Sequence, residues 1–204
     1  MLGFDGVTDD VGVAASWIKQ GKILAYPTES VWGLGCNPFD EQAVRKLLDL
    51  KSRAMDKGLI VVTASDGLLQ DFFGGLPYHQ QEKIMHSWRF AYHKKQATTW
   101  LFPMPKDLLV PIPNWVTGDK NSLAVRVISH KKTAKLCDLL KSQHAIPYGF
   151  LVSTSCNPAT LPPATDLMMA YQYFGDQVCY LKGEVLGYDK PSQIIDVMTE
   201  EVMR

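Results

Sequence analysis

Apolar positions along the chain follow two rhythms. Val11, Ala14, Ala15 and Ile18 recur at the spacing of one helix face, and Gly21 stands where that helix can end. Residues 23–26 are a short apolar run stopped by Pro27, the pattern of a strand entering a loop. Asp40 can cap a second helix that buries Val44, Leu47 and Leu48 and runs out near Lys51. Residues 59–63 (LIVVT) predict a buried strand. Ser65-Asp66 then starts a helix that Gly74-Gly75 stops. Residues 98–102 and 123–127 read as strands and 133–140 as a helix. Residues 150–154 form a strand opening into a polar loop, 166–174 a short helix, and 178–181 and 194–197 late strands. Strands and helices interleave throughout, which predicts an α/β fold with a mixed sheet. The proline-rich stretch 103–113 reads as a surface loop inside one domain, because strands continue on both sides of it.

Composition narrows the function. A length of 204 residues suits one α/β domain with a substantial core. The 21 basic and 21 acidic residues cancel, so the strongly basic balance of a dedicated nucleic-acid binder is absent. Cys36, Cys137, Cys156 and Cys179 form no C-x-x-C pair, and read as small buried residues of a reducing compartment. The first thirteen residues carry Asp5, Asp9 and Asp10 and no apolar signal core. No apolar stretch approaches the roughly 20 residues of a membrane span. A cytoplasmic location without membrane contact is therefore expected. His79, His86, His93, His130 and His144 show no helical metal pairing, so no protein-built metal site is expected. His93-Lys-Lys95 and His130-Lys-Lys132 read as solvated surface, with RNA contact as the other reading.

Three strand ends carry unusual polar groups. The first is Tyr26-Pro-Thr-Glu-Ser-Val-Trp-Gly-Leu-Gly-Cys36, where Thr28 and Ser30 offer hydroxyls and Gly33 and Gly35 let the backbone pass close to something; taken alone it is a turn. The second is Lys51-Ser-Arg-Ala-Met-Asp-Lys57. Its Lys-x-Arg pair either answers the dipole at a helix C-terminus or clamps phosphate. The third is Ser153-Thr-Ser-Cys-Asn157, either turn chemistry or a set of donors for phosphate or carboxylate. Leu123, Val125 and Val127 share one strand face, so Arg126 lies on the other. There it faces solvent, or, in a cleft, pairs with a substrate carboxylate.

In combination and order these motifs resemble the YrdC/TsaC family of threonylcarbamoyl-AMP synthases. The matching runs are Tyr-Pro-Thr-Glu-x-Val-x-Gly-Leu-Gly-Cys, Lys-x-Arg-x-x-x-Lys-Gly-Leu, Ser-Leu-Ala-Val-Arg and Ser-Thr-Ser-x-Asn, with Pro191-Ser192 and Ile194-Ile195-Asp196 near the C-terminus. The resemblance covers residues 8–204, which would form one domain, the short form without a further C-terminal domain. It implies a twisted mixed sheet with flanking helices around a concave basic cavity. It also implies synthesis of threonylcarbamoyl-adenylate, pyrophosphate and water from ATP, L-threonine and bicarbonate, the first step of threonylcarbamoyladenosine modification of tRNA. Carried over by motif, Lys51, Ser52, Arg53, Thr99, Ser122, Ser155, Asn157 and Ser192 would bind ATP. Thr28, Lys57, Arg126 and Ser153 would surround threonine, with Arg126 on its carboxylate. Lys51 and Arg53 would position and neutralise charge, and no nucleophilic side chain is required. Mg²⁺ is expected to travel with ATP. Tranferring partner proteins of tRNA modification and a transient tRNA contact complete the implied partners.

The chain departs from the family pattern in three places: Ala54 stands for the usual proline after Lys-x-Arg, Cys156 for the usual alanine of the last loop motif, and a turn before the third strand is lost. Where members carry Trp-Pro-Gly-Pro-x-Thr, Trp88 is followed by Arg89-Phe-Ala-Tyr-His-Lys-Lys-Gln-Ala-Thr98, and Thr99 takes the place of the family threonine. Lacking that proline and glycine, residues 89–97 are expected to form a mobile flap or loop beside the nucleotide. The competing readings are a non-catalytic RNA-binding protein of the same fold, and a carbamoyl-transfer module like that of hydrogenase-maturation proteins, whose acylphosphatase and zinc-finger regions are not visible in the sequence.

Overall fold

Three aspartates start helices. Asp10 accepts hydrogen bonds from the Gly12 and Val13 amides (2.6 and 3.2 Å) at the head of α1 (Val11–Lys19). Asp40 accepts from Ala43 N (3.1 Å) at α2 (Glu41–Leu50), and Asp166 from Met169 N (2.8 Å) at α8 (Leu167–Phe174). The computed structural model describes residues 6–142 and 146–204; Asp5 and His144 lie outside the described residues. Between α2 and α8 come α3 (Gln70–Phe73), α4 (Tyr78–Arg89), α5 (Ala91–Lys94), α6 (Asn114–Thr117) and α7 (Lys131–Ser142). The strands are β1 (Val7–Thr8), β2 (Leu24–Pro27), β3 (Trp32–Gly35), β4 (Ile60–Thr63), β5 (Thr98–Pro103), β6 (Ser122–Val127), β7 (Leu151–Ser155), β8 (Cys179–Leu181) and β9 (Gln193–Asp196).

Among the described residues the strands form one nine-stranded sheet in the order β1-β8-β2-β3-β7-β4-β6-β5-β9. Its pairing is mixed, as expected. β2–β3, β3–β7, β4–β7 and β5–β6 are antiparallel, while β1–β8, β2–β8, β4–β6 and β5–β9 are parallel. One face carries the larger core, where Trp32, Leu34, Val61, Val125 and Val152 meet Val44 and Leu47 of α2, Phe72 and Phe73 of α3, and Trp88 of α4. The other face carries a smaller core, where α1 and α7 cover Leu24, Tyr26, Val62 and Leu151. β2, β4, β7 and β8 feed both cores through their alternating side chains.

Two segments differ from their sequence patterns. The run Trp32-Gly-Leu-Gly35, read as a turn, is strand β3. The turn proper is Thr28–Val31, closed by Thr28 N donating to Val31 O at 3.2 Å. Residues 89–97, expected to be a flap, are the end of α4, then α5, then a reversal in which Lys95 takes a left-handed conformation (φ 45°). The reversal therefore occurs without the proline and glycine. The buried Trp88 indole donates to Thr98 O (2.9 Å) and Gln96 Nε2 to Pro191 O (3.1 Å), tying the segment to β5 and the chain before β9.

Gly35 explains why β3 carries glycine. A Cβ there would overlap the Val152 carbonyl oxygen of β7 and stand 3.1 Å from the Tyr26 ring. That ring lies across β3 because its hydroxyl donates to the same Val152 carbonyl (2.9 Å). The close approach is to the protein's own tyrosine and neighbouring strand. Gly35→Ala should destabilise the protein by about 1–3 kcal/mol through overpacking, read as a lowered midpoint in urea denaturation; an unchanged midpoint would contradict the close packing of β3 on β7.

Candidate active site

One sheet face changes character along its strands. On β7, Leu151 lies in the smaller core, whereas Ser153 and Ser155, the next positions on the same face, line a cavity. Ile128, just past β6, is in that core, and Arg126, Ala124 and Ser122 line the cavity. Tyr26 to Thr28 and Val62 to Ile60 make the same change. Where α1 and α7 stop covering the sheet, packed apolar side chains give way to hydroxyls, a guanidinium, the small Ala124 and the cavity-facing Ile60. The resulting cavity of about 670 Å³ has the size of a small-molecule site.

Among the described lining residues, Arg53, Lys57, Lys120, Arg126, Lys190 and Arg204 have cationic side chains, and Asp189 has the one acidic side chain. The guanidiniums crowd one another. Burial and the neighbouring Arg204 push Arg53 down from the ordinary arginine range against the opposing pull of Asp56; burial and Arg126 do the same to Arg204. Such a set favours an anionic occupant.

The helix end at α2 sets out Lys51 and Arg53. Ser52 adopts a left-handed conformation (φ 47°), Ser52 N donates to Asp49 O and Arg53 N to Leu48 O (both 3.0 Å), closing the helix in a Schellman-type turn. This turn sends the two cations to different places. Arg53 lines the cavity and donates through Nη2 to Gly58 O (2.8 Å). Lys51 is not among the lining residues. Its ammonium sits under the chain after β7, donating to Ser155 O (2.5 Å), Asn157 O (2.7 Å) and Asn157 Oδ1 (3.3 Å). Burial pushes it down to about 8, with Cys156 opposing and Arg53 adding to the shift.

The motif residues therefore separate into two sets. Thr28, Lys57, Arg126 and Ser153 reach the cavity, and so do Arg53, Ser122, Ser155 and Ser192. Lys51, Ser52, Thr99 and Asn157 lie outside the lining. Thr99 is fully buried and donates to Ser192 Oγ (3.0 Å), so it orients a lining hydroxyl. Asn157 Nδ2 donates to Leu161 O (2.6 Å) and Pro158 O (3.1 Å), and so shapes the loop that Lys51 holds. Ser52 serves the helix-terminating turn. Thr28 Oγ1 donates to Val31 O (2.6 Å), which leaves its oxygen free only to accept.

Several site residues escaped the sequence reading. Arg204 and Met203 line the cavity because the chain reverses after β9. Asp196 Oδ1 accepts from Met198 N and Thr199 N, and Met203 N donates back to Ile194 O (2.8 Å). Arg204 Nη2 then donates to Ser192 O (3.3 Å). Lys120, Tyr188, Asp189 and Lys190 come from loops with no motif of their own. Glu29, within the first motif, is almost fully buried (1% exposed), and its Oε2 lies 3.6 Å from Arg126 Nη1. The four thiols are buried and pushed up by that burial, Cys156 to about 12, so none is a ready nucleophile.

The family model Sua5_yciO_yrdC, described as "Telomere recombination", matches residues 16–204. The chain belongs to the Sua5/YciO/YrdC family. A threonylcarbamoyl-AMP synthase of Psychrobacter cryohalolentis is 50% identical over 208 residues, covering 97% of each chain. The protein of that name from Acinetobacter baumannii is 41% identical over 198 residues, covering 97% of this chain and 99% of its own. Among solved structures, P. abyssi Sua5 complexed with L-threonine superposes with a TM-score of 0.75 at 27% identity. The match covers 91% of this chain and 50% of the Sua5 chain, so the chain spans about half of Sua5. Family membership accounts for the mixed α/β architecture.

Lys51→Met keeps the aliphatic stem and removes the donor shared by Ser155 O and Asn157 O. Losing it should cost about 1–3 kcal/mol and speed amide hydrogen exchange in residues 155–161 with little change in α1 and α7. Unchanged exchange in that loop would contradict the anchoring role.

Proposed function

We propose that the chain is a threonylcarbamoyl-AMP synthase formed by a single domain spanning residues 8–204. The observation that carries this reading is the convergence of Thr28, Lys57, Arg126 and Ser153 with Arg53, Ser122, Ser155 and Ser192 around one concave, cation-rich cavity. The name shared by relatives that match it nearly end to end supports the same reading. The L-threonine complex of P. abyssi Sua5 supports threonine as the amino acid.

In this reading Arg126 pairs with the threonine carboxylate, and Thr28 and Ser153 present oxygens to its hydroxyl and amine. Arg53 and Arg204 neutralise the ATP phosphates, and Ser122, Ser155 and Ser192 offer hydroxyl donors. Lys51, Thr99 and Asn157 act one layer behind, holding the wall that carries Ser155 and Ser192. The threonine amine and bicarbonate give a carbamate and water. A carbamate oxygen attacks the α-phosphorus of ATP, and the bond to the β-phosphate bridge breaks to release pyrophosphate. The reactants are all anionic or carry carboxylates, so the protein's contribution is positioning and charge neutralisation. Among the described residues no group of three or more His, Cys, Asp or Glu side chains could hold a metal. Mg²⁺ in this scheme is carried by the phosphates of ATP as part of the substrate. Partner proteins that transfer the threonylcarbamoyl group to tRNA, transient tRNA contact and a cytoplasmic location belong to the same proposal. No described helix is long and apolar enough to cross a membrane. The RNA-binding alternative has no observation in its favour: relatives of nearly equal length carry an enzyme name.

Purified protein should release pyrophosphate from ATP only when both L-threonine and bicarbonate are present. Release independent of threonine, or none, would overturn the assignment. A second expectation concerns pH. With its ammonium pushed down to about 8, Lys51 is charged at pH 7 and loses its proton as pH rises through 8, so the positive charge beneath the phosphate wall fades. Calorimetric ATP affinity should weaken between pH 7 and 9, whereas Lys51→Met should bind more weakly and vary little over the same range. Parallel pH curves for the two proteins would contradict it.

A further inference from the structure

Glu29 is a buried carboxylate that the reaction scheme does not use. It sits in the turn between β2 and β3, and its backbone is fixed by the loop that follows β8. Leu186 N donates to Thr28 O (3.2 Å) and Tyr188 N to Glu29 O (3.0 Å). Its Oε1 accepts from Ser129 N (2.7 Å). Its Oε2 has no hydrogen-bond partner, and faces Arg126 Nη1 at 3.6 Å. Arg126 is itself 8% exposed, and its Nε is also unpartnered.

A stability device would look different. Taking two charges out of water is repaid only by good geometry and satisfied hydrogen bonds. This pair is longer than a hydrogen bond and leaves polar atoms on both partners unmatched. Glu29 is also not among the residues lining the cavity, whereas Arg126 is. A carboxylate in this position cannot touch a substrate in the cavity, but it can fix the guanidinium that does. We propose that Glu29 is a positioning residue for the threonine carboxylate. It holds one edge of the Arg126 guanidinium, leaving the remaining donors to meet the incoming carboxylate in the planar, paired geometry that arginine favours. The turn that carries Glu29 also carries Thr28, so one short segment sets both a threonine-facing hydroxyl and the orientation of the arginine. This inference rests on the threonine reading of the site.

The sign of the effect separates positioning from simple charge reduction. If Glu29 only weakened the charge on Arg126, Glu29→Gln would tighten threonine binding. If it positions Arg126, Glu29→Gln loosens it. The variant keeps an oxygen for Ser129 N–H and nearly the same volume. The experiment is steady-state pyrophosphate release with threonine and ATP varied separately. We expect Glu29→Gln to raise the KM for threonine about tenfold or more, the scale of one charge-assisted contact, while the KM for ATP stays within about twofold. Glu29→Asp, which keeps the charge but withdraws it by one methylene, should give a smaller rise. In an Arg126→Gln background, where threonine KM is already raised, adding Glu29→Gln should change it less than about twofold. An unchanged or lower threonine KM in Glu29→Gln would overturn the inference. So would equal losses for threonine and ATP, or multiplying effects in the double variant. Should Glu29→Gln fail to fold, Glu29→Asp carries the same threonine-against-ATP test. Wild-type protein without threonine-dependent release would overturn both this inference and the function it rests on; a normal wild type with an unaffected Glu29→Gln would overturn this inference alone.

Discussion

The helices α1 and α7 cover only part of one sheet face, and the side chains beneath them record where the cover ends. Leu151 is followed on its face by Ser153 and Ser155, and Ile128 gives way to Arg126, Ala124 and Ser122. A sheet face must be either covered by apolar packing or solvated, so this change leaves a recess whose floor is rigid strand. The opposite face stays apolar along the same strands, through Val61, Val125, Leu34 and Val152. The larger core thus supports the recess from behind. The site is fixed by packing that its own residues do not supply.

Charge in the recess is held in place at a cost in desolvation. Arg53, Arg126 and Arg204 stand close enough for Arg204 to feel Arg126 and Arg53 to feel Arg204, and burial pushes Arg53 and Arg204 down. Few acidic side chains offset them: Asp189 in the lining, Asp56 near Arg53 and Glu29 behind Arg126. Such an arrangement contributes little to folding and much to a ligand that brings several negative charges to one point. Hydroxyls from three different strand regions, Ser122, Ser153 and Ser192, supply direction where the cations supply attraction.

Much of this was legible in the sequence, for physical reasons that differ by element. Helix α1 declares itself through an apolar stripe, and α2 through an aspartate cap and an apolar stripe, all local signals. β3 was hidden because glycine has low strand propensity, and the reason for Gly35 is a contact with Val152 and Tyr26 that no local window contains. The Lys-x-Arg pair left open a helix-end role and a phosphate role. The fold divides them: Arg53 faces the cavity and Lys51 secures its wall. Residues 89–97 looked like a flap because the proline and glycine of a tight turn were missing, but Lys95 makes the reversal with a left-handed backbone. Arg204 and Glu29 could not be assigned from spacing. Arg204 arrives by a chain reversal capped by Asp196, and Glu29 acquires meaning only when β6 brings Arg126 beside it.

In the proposed function, the uncovered, polar stretch of this sheet face is where nucleotide and amino acid meet. The most direct measurement is a crystal structure of the protein with L-threonine and a non-hydrolysable ATP analogue. The expected structure has the amino-acid carboxylate on the Arg126 guanidinium, the phosphates between Arg53, Arg204 and Ser155, and Lys51 still bonded to the Ser155 and Asn157 carbonyls. Ligands bound away from the strand segment Ser122–Arg126, or phosphates coordinated directly by a displaced Lys51, would contradict it.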